Sequence, residues 1–212
     1  MAILEKHIDT GCRWGIWKME ESVEDLLMLF SNPERQLEQM QHLTAQNRRL
    51  EWLSVRALLK NLCGEEKQIE YLPSGMPYLS DQSFYISISH TRGYVAVILS
   101  SQKKVGIDIE QYGERILKLR TKFMSEQEIE TISADKEVYH LLLFWSGKET
   151  IFKLLGEQEV DFKEHLLISP FTPEEKGTFH ACELRTAKQQ TFLLHYQIHP
   201  DFVITWSEFV VR

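Results

Sequence analysis

Three carboxylates and two lysines stand in two otherwise apolar segments near the middle of the chain. One is Val105-Gly106-Ile107-Asp108-Ile109-Glu110; the other is Phe144-Trp145-Ser146-Gly147-Lys148-Glu149-Thr150-Ile151-Phe152-Lys153. Residues of these types can hold a divalent metal and a phosphate ester side by side. In the first segment Val and Ile favour a strand, along which side chains point alternately to opposite faces. Asp108 and Glu110 then leave the same face as a pair of oxygen ligands. Such a pair suits a hard cation such as Mg2+, which takes its other ligands from substrate phosphate and water. An edge strand with two solvated acids would have the same spacing.

The second segment lies in a proline-free run, Glu137 to Leu155, closed by Gly156, which predicts a helix. Residues four apart share a helix face, so Trp145, Glu149 and Lys153 form one stripe, with Lys148 and Phe152 beside it. A solvated Glu–Lys pair is the alternative. The flanking Trp, Phe, Ile and Leu predict a largely buried helix instead, and a buried Glu and Lys need partners or a ligand.

The elements that position these residues read as mixed α/β. Asn32-Pro33-Glu34 starts a helix, with Asn as cap and Pro in the first turn; helical pattern then runs, with a break, to Cys63 and ends at Gly64. A turn is expected over 72–78, around Gly75 and Pro77. Strands are expected at 85–88 and 94–99, joined through Thr91-Arg92-Gly93, and again at 105–110. Ser125 to Glu128 has the spacing of a capping box and opens a further helix. After Gly156 strands return at 166–169, 178–184, 191–198 and 202–207.

Composition sets outer bounds. The chain has 212 residues, 26% charged and 43% hydrophobic, ordinary values for a globular protein of one large domain or two small ones. Cys12, Cys63 and Cys182 are widely spaced, which suggests neither a disulfide framework nor a zinc site. Glu5, Lys6, Asp9 and Arg13 leave no apolar core for a secretory signal. No apolar run approaches the ~18 residues of a membrane helix. The expectation is a cytoplasmic protein without a membrane partner. A net charge of -7 argues against nucleic acid as a partner.

Gly-Ile-Asp-Ile-Glu followed by Trp-Ser-Gly-Lys-Glu-Thr-Ile-Phe-Lys resembles the paired signature of the 4'-phosphopantetheinyl transferases, most closely the surfactin-synthetase type. Three further elements agree and occur in the family's order. Ile86-Ser87-Ile88-Ser89-His90-Thr91 resembles its Asn-(Ile/Phe)-Ser-His segment, Gly75-Met76-Pro77-Tyr78 its Gly-Lys-Pro turn, and Glu51 to Leu59 a helical stretch with its internal arginine, Arg56. The resemblance implies an α/β (α+β) fold of two similar α/β halves related by a pseudo-twofold axis, with the active site at their interface. The halves are placed at 1–104, with the coenzyme A-binding elements, and 105–212, with the metal-binding and catalytic motifs.

The activity it implies is Mg2+-dependent transfer of 4'-phosphopantetheine from coenzyme A to a serine of an acyl or peptidyl carrier protein, with release of 3',5'-adenosine diphosphate. By the same resemblance Asp108, Glu110 and Glu149 hold Mg2+ against the diphosphate. Glu149 is also the candidate general base, a role that competes with metal binding because a metal-bound carboxylate is a poorer base. Lys153 offsets charge on the leaving group, and Lys148, Ser89 and His90 contact phosphate. Arg56, whose guanidinium suits phosphate bidentately, takes the 3'-phosphate, with Arg48 and Arg49 as weaker candidates. The backbone of Ser74, Gly75, Met76 and Pro77 contacts adenine. Met76 departs from the family's usual lysine and removes a basic contact there.

Carrier proteins are acidic, as is this chain. One exception is the stretch Arg115, Lys118, Arg120 and Lys122, interleaved with apolar residues up to Phe123. It is the expected docking surface for the carrier helix. The partner is a fatty-acid, polyketide or peptide carrier, and the transferase is expected to be a monomer. Two rivals remain: another Mg2+-dependent phosphodiesterase or nucleotide hydrolase, and a non-catalytic module that binds coenzyme A or a carrier.

Overall fold

The structure, a computed structural model, describes residues 3–8, 11–156 and 159–209; Asp9 of the N-terminal charge pattern lies outside them. The first half opens with a hairpin, β1 (Ile3–Ile8) and β2 (Cys12–Lys18). Three helices follow, α1 (Val23–Leu27), α2 (Pro33–Gln39) and α3 (Gln46–Cys63). A small hairpin, β3 (Ile69–Tyr71) and β4 (Pro77–Leu79), leads to β5 (Tyr85–Thr91) and β6 (Tyr94–Ser100). The main sheet has the antiparallel order β1-β2-β6-β5.

All seven residues of β6 are buried, because both faces of the strand are covered. Val95, Val97 and Leu99 meet Leu53, Leu58, Leu59 and Leu62 of α3. Tyr94, Ala96 and Ile98 point the other way. Burying each leucine of α3 contributes about 1.5–3 kcal/mol. α1 starts at a reciprocal Ser22–Asp25 capping box, and α2 starts where the Asn32 side chain accepts from the Arg35 N–H.

The chain changes sheets between Ser100 and Lys104. β7 (Lys104–Gln111) is followed by a 3-10 turn over Glu114–Lys118 and by α4 (Arg120–Phe123) and α5 (Glu126–Ile129). The long α6 (Glu137–Leu155) and short α7 (Phe162–His165) precede β8 (Leu166–Ile168), β9 (Lys176–Glu183), β10 (Thr191–His199) and β11 (Phe202–Phe209). These strands form a second antiparallel sheet, β7-β11-β10-β9-β8. α6 covers one face of it through Leu141, Phe144, Ile151 and Leu154. On the other face Val105, Ile107, Ile109, Phe202 and Ile204 pack against Trp14, Ile16, Tyr94, Ala96 and Ile98 of the first sheet. The layers are therefore helix, sheet, sheet, helix.

Where the two sheets meet, hydroxyls replace a backbone ladder. The N–H groups of Ile107, Ile109 and Gln111 donate to Ser87 Oγ, Ser89 Oγ and Thr91 Oγ1 at 3.2, 3.3 and 3.2 Å. Alternate side chains of β5 thus satisfy the free edge of β7, whose donors would otherwise be buried without acceptors.

The mixed helix-and-strand reading and the later strands agree with this architecture. The helical pattern between Asn32 and Cys63 breaks after Gln39 into α2 and α3. The turn over 72–78 is the connection of the β3–β4 hairpin. β1, β2 and α1 carried no expectation; in β2 the run Trp14 to Trp17 is buried on both faces and shows no alternation.

Candidate active site

Asp108 and Glu110 leave β7 on the face that meets α6, opposite Ile107 and Ile109. Asp108 is 3% exposed. Its Oδ1 accepts from Lys153 Nζ and from Ser89 Oγ, each at 2.8 Å. Its Oδ2 is buried without a hydrogen-bond partner among the described residues. Lys153 also donates to the carbonyl of Ile107 at 3.0 Å. One oxygen of a buried carboxylate is thus neutralised and the other left bare, a state that calls for a ligand.

Glu110 Oε1 accepts from Trp145 Nε1 at 2.7 Å. Burial and the charge of Asp108, opposed by the Trp145 N–H, hold the Glu110 carboxyl up at about 7. Burial and Asp108, opposed by Lys153, hold Glu149 up at about 7 as well. Each of these acids resists ionising beside the others, and a cation would relieve that repulsion. Among the described residues no three Asp, Glu, His or Cys side chains converge as a ready-made metal cage. Mg2+ needs no such cage: one or two carboxylates suffice when substrate phosphate and water complete the shell.

α6 is brought onto Asp108 by two features. A Cβ at Gly106 would lie 2.5 Å from the Thr150 carbonyl, so only glycine lets strand and helix approach this closely. A hydroxyl cluster then sets the register: Ser146 Oγ reaches Thr205 Oγ1 at 2.9 Å and donates to the Asp108 carbonyl at 3.3 Å, and Thr150 Oγ1 lies 2.7 Å from Thr205 Oγ1. Glu149 and Lys153 project from the helix face fixed in this way.

A furrow of three adjoining clefts runs past Lys153. The central one, about 230 Å3, lies between Ser74–Pro77, Ile86–Ile88 and the end of α6. Met76 seals its floor against Gly156, whose positive φ of 63° ends the helix and where a Cβ would sit 3.0 Å from the Met76 sulfur. Beyond Ile88 lies a cleft of about 310 Å3 lined by Arg48, Glu51, Trp52, Arg56, Tyr71 and His90. In the other direction a cleft of about 390 Å3 extends from Met76 and Lys153 to Tyr85 and Lys104.

Arg56 is the cation of note in this furrow. Its guanidinium lies 3.3 Å over the Trp52 ring and donates to the Trp52 carbonyl at 3.1 Å. Burial pushes it down to about 10, opposed by Tyr71. Among the described residues no carboxylate pairs with it. A desolvated cation without an acid is suited to an incoming anion. Arg48 is instead paired with Glu51 at 2.9 Å, and Arg49 donates to the Leu43 carbonyl. The half-exposed His90 ring shares the cleft with Arg56, its Nδ1 3.9 Å from Glu51 Oε2.

Not every expected residue arrives here. Lys148 is fully buried away from the furrow and spends its three donors on Glu128 Oε2, the Phe123 carbonyl and the Phe162 carbonyl, at 2.8, 2.8 and 2.9 Å. No N–H remains for a phosphate. Ser89 reaches the site, but its O–H donates to Asp108 rather than outward. In the expected docking stretch Arg115, Lys118 and Lys122 are exposed and Arg120 pairs with Glu137 at 3.1 Å. Phe123 is 1% exposed in the second core, edge-on to Trp145. Its inclusion in a docking surface is corrected: the short α4 turns it inward.

Sequence reasoning did not identify Glu128 as the partner of Lys148, Trp145 as a hydrogen-bond donor to Glu110, or the Ser146–Thr150–Thr205 cluster. The hydroxyls recurring at 87, 89 and 91 on a strand were a usable signal for the joint between the sheets.

Comparison with known proteins adds a family. The model of the 4'-phosphopantetheinyl transferase superfamily matches residues 104–207. A Synechocystis sp. (strain ATCC 27184 / PCC 6803 / Kazusa) protein named "Putative 4'-phosphopantetheinyl transferase slr0495" is 25% identical over 130 residues, 55% of this chain and 53% of its own. The 4'-phosphopantetheinyl transferase AcpT of Escherichia coli K12 is 27% identical over 115 residues, 51% of this chain and 59% of its own. The chain thus spans somewhat more than half the length of these relatives. Residues 104–207, which carry β7, α6 and the carboxylate cluster, are the part of the chain that matches the 4'-phosphopantetheinyl transferase superfamily.

Proposed function

We propose that this chain transfers 4'-phosphopantetheine from coenzyme A to a serine hydroxyl of an acyl or peptidyl carrier protein. The observation that carries the proposal is the buried Asp108, bridged by Lys153 on one oxygen and bare on the other among the described residues, at the edge of a furrow that leads to Arg56, which stacks on Trp52 and meets no carboxylate among those residues. Asp108, Glu110 and Glu149 would hold Mg2+, which when bound supplies Lewis-acid neutralisation of the diphosphate. Lys153 uses two of its three N–H groups on Asp108 and Ile107 and has one left for a phosphate oxygen. Arg56 and His90 receive the 3'-phosphate end of the nucleotide, and the Ser74–Pro77 backbone flanks its adenine.

The reaction forms a bond between the carrier serine Oγ and the pantetheine-side phosphorus. It breaks the bond from that phosphorus to the bridging oxygen, which departs with 3',5'-adenosine diphosphate. Glu149, which burial and Asp108 hold up at about 7 while no cation is bound, is the candidate to take the serine proton, a role open to it only where Asp108 and Glu110 hold the metal without it. Lys153 stabilises the charge that develops on the departing 5'-phosphate of the nucleotide.

The test is the intact mass of an apo carrier protein after incubation with this protein, coenzyme A and Mg2+, beside an Asp108→Ala control. A gain of one phosphopantetheinyl group, lost in the control, is expected. No gain across several carriers despite coenzyme A binding would favour a non-catalytic module, and coenzyme A cleavage without any carrier would favour a hydrolase.

A further inference from the structure

We infer that Thr205 of β11 is a positioning residue that acts through its hydroxyl: it pins α6 over β7 at two successive turns and so sets where Glu149 and Lys153 stand against Asp108. The inference rests on the transferase reading and extends it to a residue outside both sequence motifs. Thr205 is the cross-strand partner of Asp108 in the β7–β11 ladder, so the two side chains leave the sheet on the same face, towards α6. It is fully buried, as are Ser146 and Thr150. Its Oγ1 lies 2.9 Å from Ser146 Oγ and 2.7 Å from Thr150 Oγ1, two hydroxyls that share a helix face because they are four residues apart.

One arrangement uses every proton of the cluster. Thr150 donates to the Thr205 carbonyl at 3.2 Å, Thr205 donates to Thr150 Oγ1, and Ser146 shares its proton between Thr205 Oγ1 and the Asp108 carbonyl at 3.3 Å. The Thr205 hydroxyl thus both gives and accepts, and neither helix hydroxyl can replace it. Glu149 follows Ser146 by three residues and Lys153 follows Thr150 by three, a spacing that sets each beside a pinned position. Lys153 then meets Asp108 Oδ1 at 2.8 Å and the Ile107 carbonyl at 3.0 Å. The neighbouring contact is apolar, with Ile151 and Leu154 of α6 and Val203 of β11 in one cluster. Apolar burial is non-directional and resists separation of helix and sheet more than sliding. Hydrogen bonds have preferred lengths and angles, so the hydroxyl of Thr205 is what fixes the helix along the strand.

The test compares Thr205→Val, which keeps the branched shape and removes the hydroxyl, with Thr205→Ser, which keeps the hydroxyl and removes the methyl. Carrier modification with coenzyme A and Mg2+ gives kcat and KM, thermal melting gives stability, and hydrogen exchange of the amides of residues 149–153 gives a readout without turnover. Thr205→Val is expected to lower kcat about tenfold, with both Michaelis constants within about twofold, because a small displacement of Lys153 and Glu149 misaligns the reacting groups. The amides of 149–153 should exchange several-fold faster than in Thr205→Ser. Thr205→Ser is expected to keep kcat within about twofold although the lost methyl lowers its melting temperature. A packing role alone predicts the opposite order, with activity and exchange following the methyl. Equal losses of kcat in the two variants, or a wild-type kcat in Thr205→Val, would overturn the inference. If Thr205→Val does not fold, Thr150→Val decides: it removes half of the clamp, a several-fold fall in kcat supports the role, and an unchanged kcat overturns it. A wild-type protein that modifies no carrier would bring down the transferase reading and this role with it, whereas an active wild type beside an equally active Thr205→Val brings down the positioning role alone.

Discussion

Ser89 Oγ donates to Asp108 Oδ1 at 2.8 Å and accepts from the Ile109 N–H at 3.3 Å, so one hydroxyl of the first sheet both orients the central carboxylate and joins the second sheet. Its donor and an acceptor site are used inside the protein. Ser89→Ala would leave a buried N–H without an acceptor and strip Asp108 of one of its two donors. The expected cost is about 1–3 kcal/mol of stability. The Mg2+ concentration giving half-maximal rate should rise while the Michaelis constant for coenzyme A stays near the wild-type value. Chemical denaturation and steady-state kinetics check this. A selective rise in the coenzyme A constant would return Ser89 to the role of a phosphate contact.

Lys148 lies next to Glu149 in sequence yet on another face of α6, where it joins four elements. Its ammonium holds Glu128 and the carbonyls of Phe123 and Phe162, while Glu128 Oε1 accepts from the Ile168 N–H and Oε2 from the Ser125 N–H. Burial lowers the affinity of Lys148 for its proton, opposed by Glu128. Lys148→Met leaves the Glu128 carboxylate buried without its cation, which is expected to cost about 3–5 kcal/mol. In Lys148→Met/Glu128→Gln part of that loss should return, because no unpaired charge remains. Urea midpoints measure both. Coenzyme A affinity of the folded fraction should not change.

These two residues show what was legible in the sequence. Strand alternation placed Asp108 and Glu110 on one face, and four-residue spacing placed Glu149 and Lys153 on another; the two faces meet. Helical spacing alone could not tell the side of α6 that faces the furrow from the side that faces α5, because apolar residues surround both. Lys148 was therefore misassigned. Glu128 was read correctly as the closing acid of a capping box, but its second role depends on tertiary contacts. Phe123 stands in a basic, surface-like stretch and turns inward only because α4 is a single turn. In β2 burial on both faces erased the alternation by which a strand is read. What stayed hidden was in each case set by contacts between elements distant in sequence.

The exposed cations after β7 bear on the partner. Arg115, Lys118 and Lys122 face solvent on the segment that follows β7, whereas Arg120 is engaged by Glu137. Lys118→Glu/Lys122→Glu is expected to raise the carrier Michaelis constant about tenfold or more at low salt, with the gap narrowing as ionic strength rises. The turnover number and coenzyme A affinity should stay close to wild type, because neither side chain lines the furrow. Kinetics at two salt concentrations separate docking from chemistry. An unchanged carrier constant would remove this segment from the interface.

Acid stability should report on His140. The side chain is fully buried against Phe144 and Phe171, its Nδ1 accepts from the Ser133 N–H at 3.0 Å, and its Nε2 has no partner among the described residues. Protonation would set a second donor against the Ser133 N–H in an apolar site, and burial pushes the imidazole down to about 4 from 6.5. Between these values the unfolded chain binds a proton that the folded chain refuses. Stability is therefore undiminished above about pH 6.5, falls as pH drops towards 4, and loses nothing further from this group below that. At about 1.4 kcal/mol per pH unit, lowering the pH from about 7.5 to 5 should cost about 2 kcal/mol through His140. In His140→Gln the amide oxygen can still accept from Ser133 and nothing titrates, so the variant should lose less by that amount over the same interval. Parallel denaturation curves of the two proteins at the two pH values measure the difference, and equal losses would show that His140 becomes protonated within the fold.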